Sequence, residues 1–380
     1  MNAIETSSPF DAKHLASLDA LRVFALTGVV VYHGELVHRI PDGVNLFFVL
    51  SGFLFAWLLD REYQQTASVS LRHYYTRRCL RILPACIVSI VFTIAAKSVL
   101  HNPVDFRHAL SALFFYANYF NAVHDHPPTG FAHYWSLSVE EQFYLLWPVL
   151  FLALRRLGRG TAMGCLIGLA VAVLVWRCIA LFLLGFSGAY IYNAFETRFD
   201  SLAIGCLFGM MVQYPAVKLK ITRLCHTGLE PLVPIGLLYG LCFANNHFHK
   251  SVGFTLDSIV DGALILSLIQ LGQHRYWKWL NHPWLAGLGV LTYSGYLYHT
   301  WGLAIGSKID FLSSGGQVFV GLVASFVLAS VSYYFIERPF QKLRHHLIKA
   351  QPLSPSLLCS LDEAKTVTCI AESPMNGTLN

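Results

Sequence analysis

The chain has 380 residues, of which 55% are hydrophobic and only 13% charged, with a formal net charge of +6. A soluble globular domain is about a quarter charged. The deficit, with no basic soluble face, excludes an ordinary soluble enzyme and a nucleic-acid binder. Several apolar runs approach or exceed the roughly 18 to 20 residues that cross a bilayer, so the expected class is an all-α integral membrane protein.

The N-terminus, MNAIETSSPFDAKHL, lacks the basic start and small-residue cleavage site of a signal peptide, so the first span is expected to be retained. Ten spans are expected, at about 16–37, 44–60, 82–100, 134–154, 161–184, 197–214, 231–246, 253–271, 283–305 and 315–337. With ten spans, the basic clusters fall on one side: Arg61 to Arg81, Arg155 to Arg159, Lys218 to Arg223, Arg275 with Lys278, and Arg338 onward. The positive-inside rule then puts both termini in the cytoplasm. The domain organisation is a cytoplasmic segment 1–15, a membrane domain 16–345 and a polar, disordered cytoplasmic tail 346–380. The nine cysteines form no CxxC pair and mostly lie in apolar runs, so neither a metal site nor a disulfide framework is expected.

In the first span, LDALRVFALTGVVVYH, Arg22 and His33 lie eleven steps apart, roughly 16 Å along a helix. A charge inside a membrane helix normally faces a cavity or a partner. Asp19 shares a helix face with Arg22, as an ion pair or as support for a guanidinium that still meets an anion. His33 is a candidate base or an interfacial histidine, and Glu35 either tunes it or is solvated. In the second span, GVNLFFVLSGF, Ser51-Gly52 marks a close approach of another backbone or a ligand.

The segment 70–81, SLRHYYTRRCLR, reads as a basic interfacial helix anchored by Tyr74 and Tyr75. Arg78 and Arg81 are adjacent on it, a fork pair for phosphate or for lipid headgroups. Residues 101–133 are too short in apolar run for a span and read as re-entrant or interfacial. Ser138 to Glu141 has capping-box spacing. One of Glu140 and Glu141 then serves the cap, and the other, at the depth of His33, orients the histidine or a substrate hydroxyl.

Arg198 and Asp200 open the sixth span, either as an ion pair at the helix start or, with His299, as support for a substrate. His299 sits within the ninth, and Glu337-Arg338-Pro339 closes the tenth. His33, Glu35, Glu140, Glu141, Arg198, Asp200 and His299 gather in the outer half. Asp19, Arg22, Arg78, Arg81 and Arg338 gather toward the cytoplasm. A polar path is implied, with acid–base chemistry outside and anion binding inside. A transporter of acidic or sugar-like solutes fits the same pattern.

The blocks LDALRVFALTGVVVYH, GVNLFFVLSGF, RRCLRILP, HYWSLSVEEQFYLLWP, RFDSLAIG, YSGYLYHTW and SYYFIERPF, in this order, resemble the acyltransferase 3 family of membrane acyltransferases. The resemblance implies transfer of an acyl group, often acetyl, from cytoplasmic acyl-CoA to a hydroxyl of a carbohydrate or other small molecule, with no metal. For a bacterial chain it implies the cytoplasmic membrane. The family's arginine–ten residues–histidine motif falls on Arg22 and His33, and its R-x-x-R motif on Arg78 and Arg81, which would hold the CoA phosphates. Its SVEEQFY block falls on Ser138 to Tyr144. The family often has Asp where this chain has Asn45, which removes a possible charge there.

Overall fold

The computed structural model describes residues 8–12 and 14–349, with side chains as far as residue 343. Most of the expected 346–380 tail therefore lies outside the described residues. The described residues are helical with no strand. The helices are α1 (Ala16–His33), α2 (Gly43–Thr66), α3 (Leu71–Val99), α4 (Phe106–Leu113), α5 (Ala117–Val123), α6 (Tyr134–Arg156), α7 (Arg159–Cys178) and α8 (Gly188–Asn193). They continue as α9 (Phe199–Met211), α10 (Pro215–Leu224), α11 (Leu232–Leu241), α12 (Asn246–Phe248), α13 (Phe254–Gln270), α14 (Pro283–Gly306), α15 (Ser314–Ser332) and α16 (Arg338–Lys349).

Among the described residues, seven helices are long and apolar enough to cross a membrane, or eight if α9 and α10 form one broken span. The chain is a multi-pass membrane protein, but the expected ten spans are too many by this measure. The expected span 197–214 is only the 13-residue α9, followed by a 98° bend into α10. The expected span 231–246 is only the 10-residue α11. At 1.5 Å per residue, α11 covers about 15 Å, half the bilayer core. Residues 101–133 hold two short helices, α4 and α5, neither long enough to span.

The division between a basic interfacial helix 70–81 and a span 82–100 is corrected. α3 runs unbroken through 29 residues with Pro84 inside it. Tyr74 and Tyr75 also tie α3 to α6. Their hydroxyls donate to the carbonyls of Tyr144 (3.2 Å) and Leu145 (2.8 Å) on α6. The reason lies in α6 itself: Pro148 has no N–H to give the Tyr144 carbonyl four residues back. Tyr74 supplies the missing donor.

The capping box is also corrected. α6 begins at Tyr134, so Ser138 already lies inside the helix. Its hydroxyl donates to the Tyr134 carbonyl (2.9 Å) and accepts from the Ala117 N–H (3.2 Å). Glu337-Arg338-Pro339 likewise does not end its helix. A π-turn at Tyr333–Glu337 leads into α16, and buried Glu337 accepts from Ser294 Oγ at 2.6 Å.

Gly52 explains how α2 and α9 come together: a Cβ there would strike the Leu202 carbonyl oxygen. At the other end of α2, Asp60 is fully buried and holds Arg155 Nε and Arg159 Nη2, each at 2.9 Å. Two arginines that read as topology markers thus lock α2 to α6 and α7.

Candidate active site

A cavity of about 300 Å³ lies between α1, α2, α3, α6 and α14. Its basic end is built from the start of α1 and from the stretch of α3 just before Pro84. His14, Asp19, Arg22, Arg78 and Arg81 line it. Aromatic and aliphatic side chains of α2, such as Phe47, Phe48, Phe55 and Trp57, form the wall. Ser136 and Tyr296 lie at the opposite end.

At the basic end, Asp19 is buried and links His14 to Arg22. His14 Nε2 is 2.7 Å from its Oδ2, and Arg22 Nη1 donates to its Oδ1 at 2.9 Å. His14 is brought there by the segment before α1. Phe10 is 1% exposed, Trp57 Nε1 donates to its carbonyl (3.2 Å), and Arg61 donates to the Ala12 carbonyl (2.8 Å). Of the first fifteen residues, expected as a separate segment, His14 and Leu15 line the cavity.

Arg78 and Arg81 differ in their surroundings. Arg78 is confined by Glu141 at 3.4 Å, the Tyr144 ring at 3.0 Å and the Phe55 ring at 4.7 Å. Arg81 is exposed and makes no ion pair or hydrogen bond among the described residues. Its donors are all unused among the described residues, whereas Arg22 gives one to Asp19.

Glu140 and Glu141 do not sit beside His33, as the sequence suggested. Glu140 Oε1 accepts from Ser51 Oγ at 2.8 Å, and Glu141 faces Arg78. Glu140 lines the cavity, and Glu141 lies behind its wall against Arg78. The pair expected of Arg198 and Asp200 is replaced by two others. Residues two apart at a helix start point to different sides. Asp200 instead takes both nitrogens of fully buried Arg177, at 3.1 and 2.9 Å. Arg198 reaches Asp42 and Asn45, each at 3.4 Å, and stacks on Phe254 at 3.8 Å. Neither lines the cavity. Arg177 was visible in the sequence as a lone arginine late in an apolar run.

Asn45 lies in a buried polar knot with Ser201, Ser258 and Asp261. Its amide donates to Asp261 Oδ2 at 2.9 Å, and its carbonyl oxygen accepts from Ser201 at 2.8 Å. The carboxylate that Asn45 lacks is supplied next door by Asp261 from α13.

His33 closes α1 and is exposed. It does not line the cavity, which stops at Tyr296. The Tyr296 ring packs 5.3 Å from His299, and the His299 ring lies 5.0 Å from His33. His133, not singled out from the sequence, lies 5.1 Å from His299 on the other side. A polar residue opening an apolar helix was its only sign. Glu35 takes a left-handed turn (φ 56°) after α1, and its carboxylate bonds none of the described residues, His33 included.

Taken together, the fold and site define a multi-pass membrane protein with an internal cavity, cationic at one end and bordered by histidines at the other. A family model described as "Acyltransferase domain" matches residues 15–334. The chain belongs to this acyltransferase 3 family. It is similar to a putative O-acetyltransferase of Staphylococcus aureus (strain COL), 28% identical over 87% of this chain and 58% of the relative. It is also similar to the O-acetyltransferase OatA of Staphylococcus aureus (strain NCTC 8325), 28% identical over 88% of this chain and 58% of the relative. The chain thus spans somewhat over half the length of these curated relatives. No solved structure matches it.

Proposed function

We propose that the protein is a membrane O-acyltransferase that moves an acyl group, acetyl above all, from acyl-CoA to a hydroxyl of a carbohydrate or glycoconjugate. The observation that carries this reading is the cavity that runs from a cationic mouth to Tyr296, whose ring packs on His299, itself the neighbour of His33. The donor enters at the basic end, from the cytoplasm of a bacterial cell. Arg81 and Arg22 meet the CoA phosphates through charge-assisted bonds. Arg78, held by Glu141 and Tyr144, shapes the wall beside them. Glu140 and Ser51 line the path of the pantetheine arm. Asp19 and His14 set the position of Arg22.

The thioester reaches the Tyr296 end. His33 takes the proton of the acceptor hydroxyl from the opposite side as its oxygen attacks the carbonyl. The Nδ1 of His33 lies 3.0 Å from the Val29 carbonyl. A carbonyl oxygen only accepts, so the proton sits on Nδ1 and the Nε2 lone pair is free to act as base.

The test is Arg81→Ala, assayed as free thiol released from acetyl-CoA in membranes carrying the protein. The KM for acetyl-CoA is expected to rise about tenfold or more, with kcat changed far less, as for a lost charge-assisted contact of about 1.5–3 kcal/mol. An unchanged KM would remove Arg81 from the donor site.

A further inference from the structure

Buried polar atoms are almost always hydrogen-bonded, and an unpaired one calls for an explanation. His299 is fully buried, yet its Nε2 has no partner. Its other nitrogen, Nδ1, is 2.6 Å from the Tyr296 carbonyl, so Nδ1 carries the proton and Nε2 presents a bare lone pair. His33 is built alike, with Nδ1 on a carbonyl and Nε2 bare. The two rings are neighbours at 5.0 Å, tilted by 43°. Among the described residues no carboxylate hydrogen-bonds either ring. The spacing does not make a metal site: among the described residues no group of three or more His, Cys, Asp or Glu could hold an ion.

Resting on the reading of His33 as base, we propose that His299 is a positioning residue that stabilises the His33 imidazolium by accepting its new Nε2–H. During transfer the acceptor O–H bond breaks and its proton goes to His33 Nε2. The oxygen forms the ester bond while the C–S bond breaks and its pair leaves on sulfur. The extra proton is held between the two Nε2 atoms until the thiolate takes it. His299 thereby stabilises the imidazolium, as the buried carboxylate of a Ser-His-Asp triad does through Nδ1, but here through Nε2, because the Val29 carbonyl already holds His33 Nδ1, and without placing a permanent negative charge in an apolar wall. Packing alone would be met by an apolar ring. It does not account for a nitrogen left bare at full burial beside the proposed base.

Amide side chains separate the two nitrogens. The glutamine amide falls near the imidazole Nε2 and the asparagine amide near Nδ1. His299→Gln keeps a lone pair toward His33 and loses the bond to the Tyr296 carbonyl. His299→Asn keeps a donor for that carbonyl and loses the lone pair. The measurement is thiol release from acetyl-CoA by the full chain in host membrane vesicles, with their endogenous hydroxyl compounds as acceptor. Thermal unfolding in detergent is followed alongside.

The expected result is that His299→Gln keeps kcat within about fivefold of the parent, while His299→Asn loses about a hundredfold, within the usual range of acid–base assistance. The KM for acetyl-CoA stays unchanged in both. If Asn is as active as Gln or more so, the residue serves the backbone bond and the proposal is overturned. Equal, large losses in two folded variants overturn it as well. A His33→Ala variant in the same vesicles separates the two levels. Normal turnover there sinks the reading of the base itself, whereas an inactive His33→Ala with the wrong order at 299 sinks only the role of His299.

Discussion

Replacing His33 by alanine will lower kcat for acyl transfer by about 10²- to 10⁴-fold, the range lost with a general base, and leave the KM for the donor nearly unchanged. The split follows from placement. His33 is not among the side chains lining the cavity and lies at the opposite end of α1 from Arg22. Removing it takes nothing from the cationic mouth. It is exposed at the end of its helix and gives up a single bond to the Val29 carbonyl, so the variant should fold. Steady-state thiol release at varied acetyl-CoA reads both parameters. A rise in KM with kcat retained would place His33 in binding rather than in chemistry.

Asp200→Ala will destabilise the fold by about 3–5 kcal/mol, the cost of stranding one partner of a buried ion pair. Arg177 and Asp200 are both fully enclosed. Arg177 donates from Nε to the Ser251 carbonyl (2.7 Å), from Nη1 to the Thr197 carbonyl (2.7 Å), and from both Nη atoms to Asp200. Thr255 Oγ1 also donates to Asp200, at 2.6 Å. One guanidinium thus fastens α7, the turn before α9, and the start of α13. Without Asp200 it stays charged and buried with nothing to balance it. The double variant Arg177→Met with Asp200→Leu should recover most of the loss, because a well-packed apolar pair is often as stable as a buried ion pair. Thermal unfolding in detergent measures both. An Asp200→Ala protein as stable as the parent would mean the pair contributes nothing.

Much of the fold could be read because a bilayer demands long apolar helices, and those runs stand out. α1, α2, α6 and α14 lie close to their expected ranges. The differences share a cause: a distant partner decides where the local sequence reads otherwise. α3 was divided where basic residues give way to apolar ones, although a helix continues through both compositions. Proline inside it is tolerated where neighbouring helices resupply the freed backbone groups, as Tyr74 does for the Tyr144 carbonyl on α6. Arg198 and Asp200 were paired by proximity in sequence, whereas helix geometry turns them apart and brings Arg177 from another helix. Glu140 and Glu141 were assigned the depth of His33, but they enter about ten Å into the bundle, where α3 offers Arg78. The candidate residues at the two ends of α1 were legible as a spaced pair. His133 and the bare nitrogen of His299 were not, since only the packing of α6 against α14 places them.

The central claim is that acyl donor enters at the arginine mouth and the hydroxyl is acylated at the histidine face. The most direct measurement uses proteoliposomes with the protein in one orientation and acetyl-CoA supplied to one side at a time. The account predicts free thiol only when the donor is on the Arg22 and Arg81 side, and only while a hydroxyl acceptor is present on the other. Thiol released with the donor on the His33 side alone, or a labelled solute crossing the bilayer with no thiol formed, would contradict it.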